Sequence, residues 1–121
     1  MPFIDIENVP PMQLSPGCRI RTPYGQNLML SLVEFDEGAQ VAPHHHPHEQ
    51  GGIVLRGRLE LTIAGETRVL GPGEMYLIPP HTLHRASAVG GPAAALDVFS
   101  PVREDYAAMV NRYVPEAEGK T

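Results

Sequence analysis

The chain of 121 residues is predicted to form a single all-β domain, a barrel or sandwich, on three observations. Thirteen prolines and twelve glycines are too many for a helix bundle, because both residue types interrupt helices and mark turns. Short β-forming runs follow one another at fairly even spacing, as barrels and sandwiches require. In one of them, Leu59, Leu61 and Ile63 alternate with Glu60 and Thr62, the period of a strand with one wet face. A hydrophobic content of 42% suits one compact core and leaves no room for a second.

Taken in order, residues 1–17 carry Pro2, Pro10, Pro11, Pro16 and Gly17 and read as an extended arm able to pack on a neighbouring subunit. The barrel and a C-terminal helix are expected over 18–114. Its strands are predicted at Cys18–Thr22, Leu28–Phe35, Gln40–His46, Gln50–Leu55, Leu59–Ile63, Glu66–Leu70, Glu74–Ile78, His84–Val89 and Ala94–Phe99. Between them, Tyr24-Gly25-Gln26, Asp36-Glu37-Gly38, Ala64-Gly65-Glu66 and Gly71-Pro72-Gly73 supply residues that tolerate turn dihedrals. Leu28–Phe35 is more apolar than simple alternation gives, so both its faces are expected to be covered, one by a second subunit. After Pro101 the period becomes helical: Val102, Tyr106, Met109, Val110 and Tyr113 share a face, with Ser100 expected as N-cap and Pro101 as first helical residue. A tail over 115–121 is expected to fray.

Composition narrows the function classes. The formal net charge is −5 and the basic residues are scattered, so no positive stripe awaits nucleic acid or an anionic membrane. Cys18 is the only cysteine, which rules out an intrachain disulfide, and it reads as a small apolar residue. No signal-like or membrane-length apolar run is present, and a soluble cytoplasmic protein is expected.

All six histidines fall in two short groups, His44-His45-His46-Pro47-His48 and His81-Thr82-Leu83-His84. Alternate residues of a strand share a face, so His44 and His46 project together as a two-armed chelate while His45 points away. Gln50, across the bend at Pro47, can bring its amide oxygen to the same point, and His84 is the candidate fourth ligand from a distant strand. Glu49 is a rival oxygen donor, but only one of two successive residues faces inward, and register favours Gln50. Surface or supporting roles are expected for His45 and His48, and a place at the entrance for His81. Imidazole and amide donors suit one divalent transition metal, Mn, Fe, Ni or Zn. With no carboxylate ligand, its charge would be left uncompensated and its Lewis acidity high.

These residues resemble the cupin superfamily. The first cupin motif is matched by Gly38, His44, His46, Gln50 and Gly57, and the second by Gly73, Pro79 and His84. His81 stands where the second motif has glycine, and Ala88 where an asparagine often follows. The resemblance covers residues 28–105 and implies a double-stranded β-helix, the jelly-roll-like barrel, to which the sequence pattern adds the extended N-terminal arm and the short C-terminal helix. Downstream, Asp97-Val98-Phe99-Ser100-Pro101-Val102-Arg103-Glu104-Asp105, together with His44 to Gln50, is similar to the small single-domain cupins of pectin and alginate breakdown (KdgF-like). Those enzymes convert 4,5-unsaturated uronates to keto sugars. That resemblance implies His44, His46, Gln50 and His84 as metal ligands and Asp97, Phe99 and Arg103 as residues serving the substrate. Gly51-Gly52 occupies a place where relatives often carry a bulkier side chain, so either a wider pocket or a different substrate is expected.

The chemistry of the residues agrees with such a reaction. Asp97 alternates in phase with Phe99, so both are expected at the barrel mouth, with Asp97 as a proton shuttle. Arg103 is suited to grip a substrate carboxylate, and His81 to line the way in. The bland alternative is an Asp97–Arg103 ion pair that locks the helix to the barrel. Two other classes stay open: an Fe(II)-dependent dioxygenase, and a non-catalytic module that binds a sugar or effector. The expected partners are a small carboxylated sugar and a second copy of the chain, as a homodimer.

Overall fold

The computed structural model describes residues 3–109. A 3₁₀ turn at Ile6–Asn8 precedes ten strands: β1 (Met12–Ser15), β2 (Cys18–Arg21), β3 (Met29–Phe35), β4 (Gln40–His44) and β5 (Glu49–Arg56), then β6 (Leu59–Ile63), β7 (Glu66–Leu70), β8 (Met75–Ile78), β9 (His84–Ala88) and β10 (Ala93–Ser100). A short helix, α1 (Glu104–Met109), follows. The strands form two antiparallel sheets, one in the order β1-β2-β3-β10-β5-β8 and the other β4-β9-β6-β7.

Strand period decides what lies between the sheets. On β3, Met29, Ser31, Val33 and Phe35 are buried while Leu30, Leu32 and Glu34 face the other way. They meet Leu59, Leu61 and Ala88 from the facing sheet, with Ile20, Val54, Ala95 and Phe99 beside them. Burying a side chain such as Phe99 contributes about 1.5–3 kcal/mol, so this apolar floor is what holds the two sheets face to face. The β6–β7 hairpin turns on Ala64 and Gly65, with φ of 51° and 84°, the left-handed pair that a two-residue hairpin needs.

Several strand ends shift by one residue from the sequence expectation, and three differences are larger. Within the N-terminal segment, Met12–Ser15 pairs with β2, so the arm supplies the outermost strand of the larger sheet. Strand β4 ends at His44 instead of His46, after a break in register between Val41 and His44. Ser100 is not an N-cap and Pro101 is not helical: Ser100 continues β10 opposite Glu49, and the helix starts at Glu104. Pairing with β5 engages the Ser100 backbone, and the ladder overrides its capping propensity. Val110, Tyr113 and the tail expected at 115–121 lie outside the described residues.

Candidate metal centre

His44 and His84 are directly opposite one another on β4 and β9, which places their ring centroids 4.2 Å apart. His46, in the loop just past β4, closes the group at 5.6 Å from His44 and 5.0 Å from His84. One ring nitrogen from each lies within 4.8 Å of the others. In each ring Nδ1 meets a backbone carbonyl: Ala42 for His44 at 2.8 Å, His48 for His46 at 3.1 Å and Thr82 for His84 at 2.7 Å. A carbonyl only accepts, so Nδ1 carries the proton and all three rings turn an Nε2 lone pair inward.

The inward nitrogens fit a cation. His84 Nε2 is buried with no hydrogen-bond partner among the described residues, an arrangement that costs about 1–3 kcal/mol unless something accepts its lone pair. Gln50 is buried while Glu49 is exposed, as strand register argues. Its Oε1 stands 3.1 Å from His46 Nε2. His46 Nε2 turns a lone pair toward that oxygen, which itself only accepts. Two acceptors thus face each other at about the 3 Å that two donors keep when each is about 2.1 Å from one ion at right angles. Three imidazoles and an amide oxygen are a donor set for a divalent transition metal.

Burial lowers the proton affinity of His44, His46 and His84, the last to about 4. In the unfolded chain these rings bind protons near 6.5, so between about pH 6.5 and 4 the unfolded state takes up more protons and folded stability falls on acidification. Asp97 works in the opposite sense, since burial raises its carboxyl from 3.8 to about 6. Three rings oppose one carboxyl, so the metal-free protein is expected to melt at progressively lower temperature as pH is taken from 6.5 to 4. Thermal melts across that range check the sign.

Around the histidines lies a cavity of about 40 Å³, lined among others by His44, Gln50, Tyr76, His84, Asp97, Phe99 and Arg103. Phe99 packs edge-on to His46 with centroids 5.7 Å apart, and Tyr106 of α1 packs on Phe99 at 5.6 Å. Arg103 stacks over Tyr106 at 3.8 Å and gives Nε and Nη2 to the Asp105 carboxylate at 3.2 and 2.7 Å. The alternative of an Asp97–Arg103 ion pair is therefore not met: Arg103 pairs with Asp105 instead. His48, expected at the surface or in support, is buried and bonds Glu104 at 2.8 Å, while its carbonyl holds the His46 ring; His45 is exposed. His81 is exposed and sits outside the cavity lining, with a left-handed φ of 63°, and its backbone N–H donates to the His46 carbonyl at 2.7 Å. Replacing His81 with glycine should relieve that backbone and raise stability by about 0.5–1 kcal/mol, allowing for the entropy glycine loses on folding. A lower melting temperature for His81→Gly would show that the imidazole itself holds the turn.

The main residue that sequence reasoning missed is Tyr76. Gly52 pairs with Tyr76 on β8 and with Asp97 on β10, so the three stand in one row across the sheet. A Cβ on Gly52 would lie 2.3 Å from Tyr76 Cζ and 2.4 Å from Asp97 Oδ1. The wider pocket expected from Gly51-Gly52 is thus filled at Gly52 by a tyrosine from the next strand. A tyrosine two residues before Ile78 on the inward face was the available signal.

The cupin domain family model matches residues 31–99, more than half of the chain, and the chain belongs to the cupin family. Within that family it is 33% identical over 106 residues to the pectin degradation protein KdgF of Dickeya dadantii (strain 3937), covering 86% of this chain and 96% of that protein. The solved structure of KdgF from Halomonas sp. superposes with a TM-score of 0.78 at 37% identity, covering 86% of this chain and 96% of that one. An RmlC-like cupin from Shewanella frigidimarina NCIMB 400 superposes with a TM-score of 0.81 at 30% identity, over 86% and 94% of the two chains. No helix among the described residues is long and apolar enough to cross a membrane.

Proposed function

We propose that this metal-binding cupin catalyses the ring-opening and ketonisation of a carboxylated, unsaturated uronate-like sugar. One observation carries the reading: a half-buried carboxylate, Asp97, shares a cavity wall with an inward-facing histidine triad, in a chain similar to KdgF over most of its length. Mn, Fe, Ni or Zn suits the donors, and such an ion, when bound, polarises a substrate oxygen and lowers the proton affinity of a hydroxyl. Asp97 does the proton work. It takes the proton of the anomeric hydroxyl as the ring oxygen is released as an enolate, and it delivers that same proton to carbon 4 as the enolate becomes a ketone. Atoms balance without an oxidant, because the change is an isomerisation. A carboxyl raised to about 6 exchanges protons in both directions near neutral pH.

Arg103 binds the acid group. Asp105 occupies one edge of its guanidinium and Tyr106 one face, which fixes the plane and leaves Nη1 for the substrate carboxylate. Phe99 walls the sugar-binding side of His46, and His81 lines the approach from its exposed turn. The test is ultraviolet absorbance of a 4,5-unsaturated uronate, whose conjugated double bond disappears on ketonisation. Metal-loaded protein should remove the absorbance and chelator-treated protein should not. Unchanged absorbance with metal-loaded protein would refute the reading, and oxygen uptake dependent on added iron would replace it with a dioxygenase.

The homodimer belongs to the same proposal. Leu30, Val98, Gly51 and Leu77 form one outward row across four strands, and Leu32, Leu96, Ile53 and Met75 the next. Met75 and Leu77 are 74% and 73% exposed, an apolar surface suited to a second copy. Sedimentation should give twice the chain mass for the wild type and one chain mass for Leu77→Lys.

A further inference from the structure

Tyr76 has no part in binding the metal or the acid group, yet it is bound to the centre of the cavity wall. Its hydroxyl donates to Asp97 Oδ1 at 2.5 Å. Two independent features make that contact an outcome of the sequence. The first is register: Tyr76, Gly52, Asp97 and Ser31 are successive cross-strand neighbours on β8, β5, β10 and β3, so their side chains share the inward face. The second is space, because only the missing side chain of Gly52 lets a phenol cross β5 and reach β10. Gly52 is absent from the positions with left-handed φ, so the backbone there does not itself call for glycine. What calls for it is the tyrosine.

We propose that Tyr76, seated in the space left by Gly52, is a positioning residue that holds Asp97 by Oδ1 and so presents Oδ2 to the substrate. The contact is a charge-assisted hydrogen bond inside a partly buried site, the strong kind, and it replaces a freely rotating carboxylate with one fixed rotamer. Burial and the neighbouring Asp97 charge hold the phenol proton well above the usual range, so Tyr76 stays a donor throughout the working pH range. Asp97 shares the cavity lining with Gln50, whose oxygen faces His46. A shift of Asp97 is therefore a shift of the group expected to move the proton, with His44, His46 and His84 left in place.

The inference rests on Asp97 being the proton shuttle, and two substitutions test it. Tyr76→Phe keeps the ring in the Gly52 space and removes only the donor. It should lower kcat about ten- to a hundredfold with KM within about twofold and the melting temperature unchanged. Gly52→Ala should give the same loss by pushing the phenol off Asp97. In an Asp97→Asn background, Tyr76→Phe should cost nothing further, which a merely structural role would not produce. A Tyr76→Phe enzyme with kcat within about twofold of wild type, or an equal loss in the Asp97→Asn background, would overturn the proposal. Proton NMR separates this from a failure of the uronate reading: the wild type should show a hydroxyl proton downfield of the amides that vanishes in Tyr76→Phe and moves upfield in Asp97→Asn, where the acceptor loses its charge. If that signal is present while uronates are untouched, the substrate is wrong and the hydrogen bond stands; if it is missing in the wild type, the positioning role falls.

Discussion

Replacing His84 with leucine should abolish metal binding and leave the metal-free fold intact. His84 is the proposed ligand from the second cupin motif, on the strand opposite His44, so its loss opens the group from one whole sheet edge. Loss even of a supporting hydrogen bond to a ligand costs about ten- to a hundredfold in metal affinity, and loss of a ligand should exceed that. The effect on stability has the reverse sign from an ordinary core substitution. Without metal, His84 keeps a buried Nε2 with no partner among the described residues, a cost that leucine lacks, so the variant should melt no lower than metal-free wild type. Added metal at about a hundred times its dissociation constant should stabilise wild type by about 2.7 kcal/mol and the variant not at all. Thermal melts with and without metal read both numbers in one experiment. A variant that melts far below metal-free wild type would show that the ring is there for packing.

Replacing Asp97 with asparagine should reduce turnover by about a hundred- to ten-thousandfold, the range for removing a general acid or base. Melting temperature and metal content should stay near wild type. The structure explains why the two readouts separate. Arg103 is paired with Asp105 and not with Asp97, so no ion pair between barrel and helix is broken. The asparagine oxygen still accepts from Tyr76, and the change is isosteric. Turnover near wild type with a lower melting temperature would move Asp97 from the chemistry to the scaffold.

Much of the centre was readable before folding because cupin ligands sit in short motifs at fixed spacing. His44, His46 and Gln50 lie within seven residues, and His84 eleven residues after Gly73, so local geometry carried the inference. Strand period alone separated Gln50 from Glu49, since successive side chains take opposite faces. Contacts that depend on which strand neighbours which were not readable. The row from Tyr76 through Gly52 to Asp97 joins residues up to 45 positions apart, and its register is set by pairing across three strands. Choosing Asp105 over Asp97 as the partner of Arg103 likewise required the start of α1, which β10 displaced from Ser100 to Glu104. His46 reached the group from a loop because β4 stopped two residues early, a break that alternation cannot reveal.

His44, His46, His84 and Gln50 are together proposed to hold one divalent metal at the barrel mouth. X-ray absorption at the metal edge, on protein purified without an affinity tag and paired with its metal stoichiometry, tests it most directly. One ion per chain is predicted, with three imidazole nitrogens at about 2.0–2.2 Å and an added oxygen shell, and with one imidazole missing from any residual spectrum of His84→Leu. A protein that binds no divalent metal, or a spectrum without imidazole scattering, would contradict the account.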